Sequence, residues 1–420
     1  MPGYSRRGVA AAAVLASWLA SPTLSYCVHA FGLQMSSELS TYRGSADKRG
    51  GMARRRLREW RRASRGASAS ASAVSRPLAP PFPNGLCGGT VVTLPPELTY
   101  GYTEDDNALI AAATSGGDIS AGAILLPPRP IDVWLPPSYD PTGKSGKRHP
   151  VLYVHDGQNA IDDGSSWTGS SWRMAGALVR LAERGMLDSS HLGEDVDPVP
   201  ILVLLPSADG DMLIPGMRRR HLEYGDGPVG QAHADFVVEK VMPMVDARFR
   251  TVGPGRPLGN HCLGTSMGGE ASFHLIMRHP DKFGGAAALS PAFSAPTIAT
   301  AAASAATLRG QTLYLDNGGD VGDTKVPMID LFDHFTEKNW WNPGYFWLDS
   351  QLQPGVDAMR GALDLGGVDY EYRRIAGGRH NERAWAQRID APLMHLFGRG
   401  GGGGGPPEEL MIMRESEDEI

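Results

Sequence analysis

Cysteine is scarce in this 420-residue sequence, which has three, at positions 27, 87 and 262. Three cysteines without regular spacing form neither a disulfide framework nor a thiolate metal site. Cys27 falls in an N-terminal leader, and Cys262 falls in a short apolar segment, where a thiol acts as a small buried hydrophobic group. We therefore predict no structural disulfide and no bound metal ion.

The sequence also lacks an excess of basic charge in the part that should fold. Its formal net charge is −6, yet the first 90 residues carry 13 Lys and Arg against three acidic residues, which leaves about −16 for residues 91–420. An acidic body behind a basic leader argues against a nucleic-acid partner. No internal run approaches the roughly 18 apolar residues of a membrane span, so we expect none once the leader is removed.

Two kinds of targeting signal follow one another at the N-terminus. Arg6 and Arg7 precede the apolar run 8–20, and a small-residue stretch ends at Ala30, which predicts a signal peptide over residues 1–30. Residues 31–90 are rich in Ser and Arg, poor in acidic residues, and lead into a proline-rich linker. This layout resembles the two-part leaders of algae with complex plastids. We predict entry into the secretory pathway, with a plastid as the destination and secretion as the alternative.

Short apolar segments alternate with helical periodicity over residues 97–398. Continuous apolar runs predict buried parallel strands, and the alternating run 131–135 predicts an edge strand. A last helix should begin near Glu382, capped by Asn381. The pattern predicts an α/β fold in three layers around a mostly parallel sheet. Residues 399–420 are a glycine-rich linker and an acidic tail, for which we predict no fixed structure. The segments interpreted as strands are 131–135, 151–155, 201–205, 258–263, 285–289, 313–316 and 368–375.

The most informative motif is Gly-Thr-Ser-Met-Gly-Gly at residues 264–269. It lies between an apolar segment and a helical run that ends at Pro280, which is the setting of a nucleophile elbow. Glycines two positions before and two after Ser266 allow the strand and helix backbones to approach closely. We predict that Ser266 is a nucleophile and that Met267 donates its backbone N–H to an oxyanion.

A serine nucleophile needs a base, and the base needs an orienting carboxylate. His380 is the candidate base because it follows the last predicted strand across Gly377 and Gly378. In this fold the acid should follow the next-to-last strand, where residues 316–323 contain Asp316, Asp320 and Asp323. Asp316 is interpreted as a turn cap, and spacing alone does not decide between Asp320 and Asp323.

Three further segments are candidates for the site. The Asp-Gly turn after the strand at 151–155 is suited to direct the Gln158 amide to an oxyanion. Trp167 and Trp172 are candidates for a pocket wall, with core packing as the alternative for at least one of them. Arg220 and Tyr224, which follow the strand at 201–205, are candidates for contacts to an anionic or hydroxyl-rich acyl group, with a solvated charge run as the alternative.

These motifs together carry a family resemblance over residues 125–398. Residues 151–159 (Val-Leu-Tyr-Val-His-Asp-Gly-Gln-Asn), 264–293 and 380–385 resemble three segments of the putative esterase family. That family includes enterochelin-esterase-like hydrolases, feruloyl esterase domains and, more distantly, mycolyl transferases. The resemblance implies an α/β-hydrolase fold with Ser266 as nucleophile, His380 as base, and the Met267 and Gln158 amides as oxyanion donors. It implies Asp323 as the acid and leaves Asp320 as the second choice.

The resemblance implies a cofactor-independent serine esterase that acts on a small-molecule, glycan or lipid ester through an acyl-enzyme. Two alternatives stay open in the sequence. One is acyl transfer to a sugar or lipid alcohol by the same residues, and the other is a non-catalytic binding protein on the same fold. The sequence does not define the acyl specificity or the oligomeric state.

Overall fold

A sheet of eight strands forms the centre of the structure, a computed structural model that describes residues 81–96, 126–208, 212–214, 217–326 and 347–398. The predicted signal peptide, most of the basic leader and the tail after residue 398 lie outside the described residues. The strand order is β1-β2-β4-β3-β7-β8-β9-β10, and strands β5 and β6 form a separate hairpin. The strands are β1 (Thr90–Leu94), β2 (Ile131–Leu135), β3 (Val151–His155), β4 (Ile201–Leu205), β5 (Met212–Ile214), β6 (Met217–Arg218), β7 (Asn260–Thr265), β8 (Gly285–Leu289), β9 (Thr312–Asn317) and β10 (Glu371–Arg374).

Helices follow most of the strands. The α-helices are α1 (Met174–Glu183), α2 (Arg219–Glu223), α3 (Pro228–Phe236), α4 (Met242–Arg248), α5 (Met267–Arg278), α6 (Ala295–Ala303), α7 (Ala305–Leu308), α8 (Leu348–Gly366), α9 (Glu382–Ala386) and α10 (Asp390–Phe397). A π-helical segment joins α3 to α4 at Val237–Val241, and 3₁₀ turns occur at Gly157–Asn159, Ser190–Leu192 and Pro257–Gly259.

Alternation along the central strands divides the core between the two faces of the sheet. On β3, Val151 and Tyr153 pack in one apolar cluster, whereas Leu152 and Val154 pack in the other. The first cluster includes side chains of α3 to α6 and α8, and the second includes those of α1 and α10. Because both faces are covered by helices, the central strands are apolar throughout, as buried parallel strands must be. The predicted three-layer α/β fold is confirmed.

The sheet is parallel from β4 to β10, and its other edge is antiparallel. Strand β2 pairs antiparallel with both β1 and β4, so the prediction that residues 131–135 form an edge strand is wrong. The strand at this antiparallel edge is β1, whose residues the sequence analysis assigned to the leader and linker. Its exposed, threonine-containing pattern is typical of an edge strand, but flanking prolines made it resemble a linker.

Two details of the helices are evident only in the structure. The helical run from Pro228 to Arg248 continues past Pro243, and a π turn at Val237–Val241 precedes that proline. A π turn is one way in which a helix accommodates a disrupted hydrogen-bond ladder. The last helix is two helices, α9 and α10. Asn381 caps α9 as predicted, since its side chain accepts a hydrogen bond from the Ala384 N–H at 2.9 Å.

Candidate active site

Ser266 lies on a strained turn between β7 and α5. Its backbone has φ 53° and ψ −124°, a conformation that a non-glycine residue adopts only where the surrounding structure enforces it. Gly264 is required because a Cβ atom there would overlap the carbonyl of Gly268. Ser266 is partly exposed, and Met267 is the first residue of α5, where backbone N–H groups have no intrahelical partner. This is the geometry of the predicted elbow.

His380 follows β10 and is paired with a buried carboxylate. Its Nδ1 lies 2.6 Å from Oδ1 of Asp349, and both side chains are fully buried. Since an ionised carboxylate only accepts hydrogen bonds, Nδ1 carries the proton and Nε2 is the basic nitrogen. Asp349 is in the first turn of α8, an element that the sequence analysis did not identify.

The carboxylate that pairs with His380 is thus Asp349 and neither of the two aspartates predicted from the sequence. Asp323 is exposed in the tight turn 321–324. Asp320 accepts a hydrogen bond from the Val326 N–H at 2.9 Å and lies 3.6 Å from Nζ of Lys325. Neither carboxylate pairs with His380.

The glycines of the loop after β9 allow close backbone contacts. The Gly319 N–H donates to the carbonyl of Gly378 at 2.7 Å, so the loop after β9 pairs with the segment that carries His380. A Cβ atom at Gly318 would overlap Asp349 Oδ2. The Gly318 N–H donates to that same oxygen at 2.9 Å. The glycines thus make room for an acid that comes from another element.

The second oxygen of Asp349 accepts two hydrogen bonds. Besides the Gly318 amide, Oδ2 accepts a hydrogen bond from the Ser290 hydroxyl at 2.9 Å. Burial alone would raise the pKa of Asp349, but the charges of His380 and Arg388 and the hydrogen bonds from His380 and Ser290 hold it below its ordinary value. The lowered pKa keeps the Asp349 carboxylate ionised at neutral pH.

Backbone contacts connect the elbow to the acid. The Ser266 N–H donates to the carbonyl of Leu289 at 3.0 Å, and the Ser266 carbonyl accepts from the Ala292 N–H at 3.1 Å. Ser290, within this segment, bonds to Asp349, which pairs with His380. The loop after β8 thus contacts both the elbow and the carboxylate that pairs with His380, at the carboxyl ends of β7 to β10.

The predicted oxyanion segment begins with a second strained residue. Asp156 follows β3 with φ 56° and ψ 39°, and the 3₁₀ turn Gly157–Asn159 starts directly after it. A Cβ atom at Gly157 would lie 2.5 Å from the backbone of Leu204, so only glycine allows the turn to sit against β4. The Gln158 side chain is held on Ser207, with Nε2 donating to Oγ at 2.7 Å.

Arg220 and Tyr224, which were predicted as candidate substrate contacts, bind this turn. The Arg220 guanidinium forms two bonds to the Asp156 carboxylate, Nε to Oδ1 at 2.7 Å and Nη2 to Oδ2 at 2.6 Å. Tyr224 is fully buried, and its hydroxyl accepts a hydrogen bond from the Asp156 N–H at 3.0 Å. Arg220 is therefore not a solvated charge, because its guanidinium binds Asp156, the residue before the 3₁₀ turn. Its contact with a substrate stays a prediction.

The two tryptophans occupy different environments. Trp172 is fully buried and packs edge-on against Trp385, at 6.3 Å between ring centroids, so the core-packing alternative describes it. Trp167 is 43% exposed, and its indole N–H donates to Oε1 of Glu382 at 2.7 Å. Burial raises the pKa of Glu382 to about 7, even though the bond from Trp167 opposes that shift. The Trp167 indole is therefore held beside Glu382, which lies two residues after His380 in the chain.

A sequence signal for Asp349 did exist. The buried residues of α8 are Asp349, Val356, Met359 and Leu363, which recur at intervals of seven, three and four. An aspartate in register with an apolar helical stripe is a buried charge, and buried charges are paired. The spacing shows that Asp349 needs a partner but does not identify the partner as His380.

The described residues contain no group of His, Cys, Asp and Glu side chains that could hold a metal ion. In the same part of the chain, no helix combines the length and apolar character needed to cross a membrane. Cys87 and Cys262 are free thiols, and Cys262 is buried as predicted.

Comparison with known proteins gives a match to one family model and to several solved structures of low sequence identity. The family model described as Putative esterase matches residues 124–396. No curated protein matches the sequence. A solved ferulic acid esterase is 20% identical, with a TM-score of 0.47 over 74% of this chain and 98% of its own. The enterobactin esterase FES of Shigella flexneri is 14% identical, with a TM-score of 0.43 over 76% of this chain and 62% of its own. The ferulic acid esterase AmCE1/Fae1A of Anaeromyces mucronatus is 13% identical, with a TM-score of 0.41 over 77% of this chain and 91% of its own.

Proposed function

Because the chain belongs to the putative esterase family and is a carboxylic-ester hydrolase, we propose that it cleaves small-molecule esters through an acyl-enzyme formed on Ser266. His380 is the base in this proposal, and Asp349 is the acid that orients it. The observation that supports the proposal most strongly is the buried His380–Asp349 pair, one loop away from a strained serine.

The first half of the reaction transfers the acyl group to the enzyme. Ser266 Oγ attacks the ester carbonyl while His380 Nε2 takes its proton, and the carbonyl oxygen becomes an oxyanion. The Met267 and Gln158 amides are the donors for that oxyanion. When the tetrahedral intermediate collapses, the ester C–O bond breaks and His380 returns the proton to the departing alcohol.

The second half restores the serine. Water attacks the acyl carbonyl, gives a proton to His380 Nε2, and forms a second oxyanion at the same amides. Collapse of this intermediate breaks the bond to Ser266 Oγ, which regains its proton from His380, and the carboxylic acid leaves. During each half the imidazole becomes an imidazolium, and the buried Asp349 carboxylate stabilises that charge.

A fluorophosphonate probe tests this proposal because it phosphonylates only an activated serine. We expect the wild-type protein to be labelled at Ser266, the Ser266→Ala variant to be unlabelled, and the His380→Ala variant to be labelled far more slowly. Circular dichroism of each variant shows that the fold is retained. A folded wild-type protein that takes up no probe would contradict the proposal and favour a binding role instead.

Product analysis separates hydrolysis from transfer. With a nitrophenyl ester and an added alcohol acceptor, we expect the free carboxylic acid as the main product. A main product in which the acyl group is on the alcohol would show that the acyl-enzyme is used for transfer.

A further inference from the structure

The loop after β8 places a serine between Asp349 and a buried arginine. Ser290 is fully buried, with a positive φ of 45°. Its backbone N–H donates to Asp316 Oδ1 at 3.1 Å, while its hydroxyl lies 2.9 Å from Asp349 Oδ2. Ser290 therefore connects two buried carboxylates, one of which pairs with His380.

The surroundings of Ser290 Oγ define where its hydrogen points. Arg388 Nη2 lies 2.8 Å from this oxygen, and the Trp385 indole Nε1 lies 3.1 Å from it. Guanidinium and indole groups only donate hydrogen bonds, so both occupy the lone pairs of the hydroxyl. The single hydrogen of Ser290 is thus directed to Asp349 Oδ2.

Arg388 is itself fixed by the second carboxylate. Its Nε lies 3.0 Å from Asp316 Oδ2, and its Nη2 lies 3.2 Å from Asp316 Oδ1. The Tyr314 hydroxyl donates to Asp316 Oδ2 at 3.3 Å. The charges of Asp316 and Arg388 cancel each other. The carboxylate of Asp349 therefore carries the remaining negative charge of this group, and an imidazolium at His380 neutralises it.

We propose that Ser290 is a positioning residue, which holds the Asp349 carboxylate toward His380 through a hydroxyl that Arg388 and Trp385 orient. This inference rests on the proposed function, in which His380 is the base. Loss of the hydroxyl removes a donor from the carboxylate, so the His380–Asp349 pair holds its proton to a higher pH. The Gly318 N–H is then the remaining donor to Oδ2, so the carboxylate is held less rigidly against the imidazole.

The pH dependence of kcat/KM tests the proposal, with the full chain and a nitrophenyl ester as substrate. We expect Ser290→Ala to move the acid limb to higher pH by roughly half to one unit, because a hydrogen bond to the charged form is lost. We also expect kcat to fall while KM changes little, since substrate binding is untouched. Ser290→Cys, whose thiol is a weaker donor of similar size, should move the limb in the same direction by less.

Ser294→Ala is the matched control. Ser294 is on the same loop and caps α6, accepting from the Thr297 N–H at 3.4 Å. This variant loses a hydroxyl and some stability, but its acid limb should coincide with that of the wild type. Glu382, a nearby carboxyl whose pKa burial raises to about 7, is present in all these variants, so its contribution cancels.

A second readout does not depend on turnover. NMR titration of labelled histidines in the Ser266→Ala background follows the His380 imidazole, whose signal is assigned by its loss in His380→Gln. We expect Ser290→Ala to shift this titration upward. A wild-type protein without esterase activity would refute the proposed function and leave this measurement intact. Folded Ser290→Ala and Ser290→Cys variants with unmoved limbs and an unmoved titration would overturn the role of Ser290.

Discussion

His380 Nδ1 lies 2.6 Å from Asp349 Oδ1, although 31 residues separate the two in the chain. The contact forms because the end of β9 lies beside the first turn of α8, where the Asn317 side-chain amide donates to the Asp349 carbonyl at 2.9 Å, and because glycines in the loop after β9 leave space for the carboxylate. Asp349 thus belongs to the first turn of a helix, whereas His380 belongs to the segment that follows β10.

The first prediction concerns the identity of this acid. Asp349→Asn keeps the size of the side chain but removes the charge that stabilises the imidazolium, so we expect ester turnover to fall roughly 10³- to 10⁴-fold. Asp323→Asn and Asp320→Asn are matched controls and should retain nearly wild-type kcat. Nitrophenyl ester kinetics measure all three. A large loss in Asp323→Asn with little loss in Asp349→Asn would reverse the assignment.

A second prediction concerns the support of the oxyanion turn. Arg220→Gln leaves the Asp156 carboxylate without its bidentate partner, so the turn that carries the Gln158 amide loses its anchor. We expect kcat to fall about 10- to 100-fold, since sub-ångström misplacement of a catalytic group has effects of this order. KM should change little. Exposed Arg218→Gln is the control, and equal kcat values for the two variants would show that Arg220 does not position the turn.

The third prediction uses the buried carboxyl that binds Trp167. The pKa of Glu382 is raised by burial to about 7, so its neutral form stabilises the fold at low pH and that contribution is lost as pH rises through about 7. Glu382→Gln removes the ionisation. We therefore expect its melting temperature to exceed that of the wild type more at pH 8.5 than at pH 5.5. Thermal unfolding at both pH values measures this, and an equal difference at both would contradict the raised pKa.

A fourth prediction concerns acid stability. Burial and the nearby Arg129 lower the pKa of His233 to about 3. Neither ring nitrogen has a hydrogen-bond partner among the described residues. A depressed histidine pKa contributes stability that is complete above the unfolded value near 6.5 and is lost as pH falls toward 3.

We therefore expect His233→Phe to lose less stability than the wild type between pH 7 and pH 4.5. Denaturant unfolding at the two pH values gives the difference directly. A substitution of the exposed His191 by Asn is the control and should leave the pH dependence unchanged. If the free energy of unfolding falls equally in His233→Phe and in the wild type, His233 does not contribute to the acid sensitivity of the fold.

The sequence predicted the central strands and the elbow well because their signals are local. Continuous apolar runs mark β3, β4 and β8, and the glycines around Ser266 reflect a backbone requirement that few other residues satisfy. His380 could be chosen as the candidate base because Gly377 and Gly378 precede it and a helix cap follows it. These features depend on neighbours along the chain rather than on tertiary contacts.

Asp349 could not be assigned in the same way, since its role depends on a contact between distant segments. Position after β9 left Asp320 and Asp323 as candidates, and the family resemblance favoured Asp323. Only the structure shows that the turn carrying Asp323 is exposed. The roles of Arg220 and Ser290 have the same origin. Each is defined by a carboxylate from a distant segment of the chain, and no spacing rule connects the two partners.

The central claim is that Ser266 carries the acyl group during ester cleavage. Rapid acid quenching of the wild-type protein with a slowly deacylating nitrophenyl ester, followed by peptide mass spectrometry, tests it most directly. We predict one acyl group on the peptide that contains Ser266, and none on that peptide in Ser266→Ala. Ester cleavage by a protein whose Ser266 is never acylated, or whose acyl group lies on another residue, would contradict the claim.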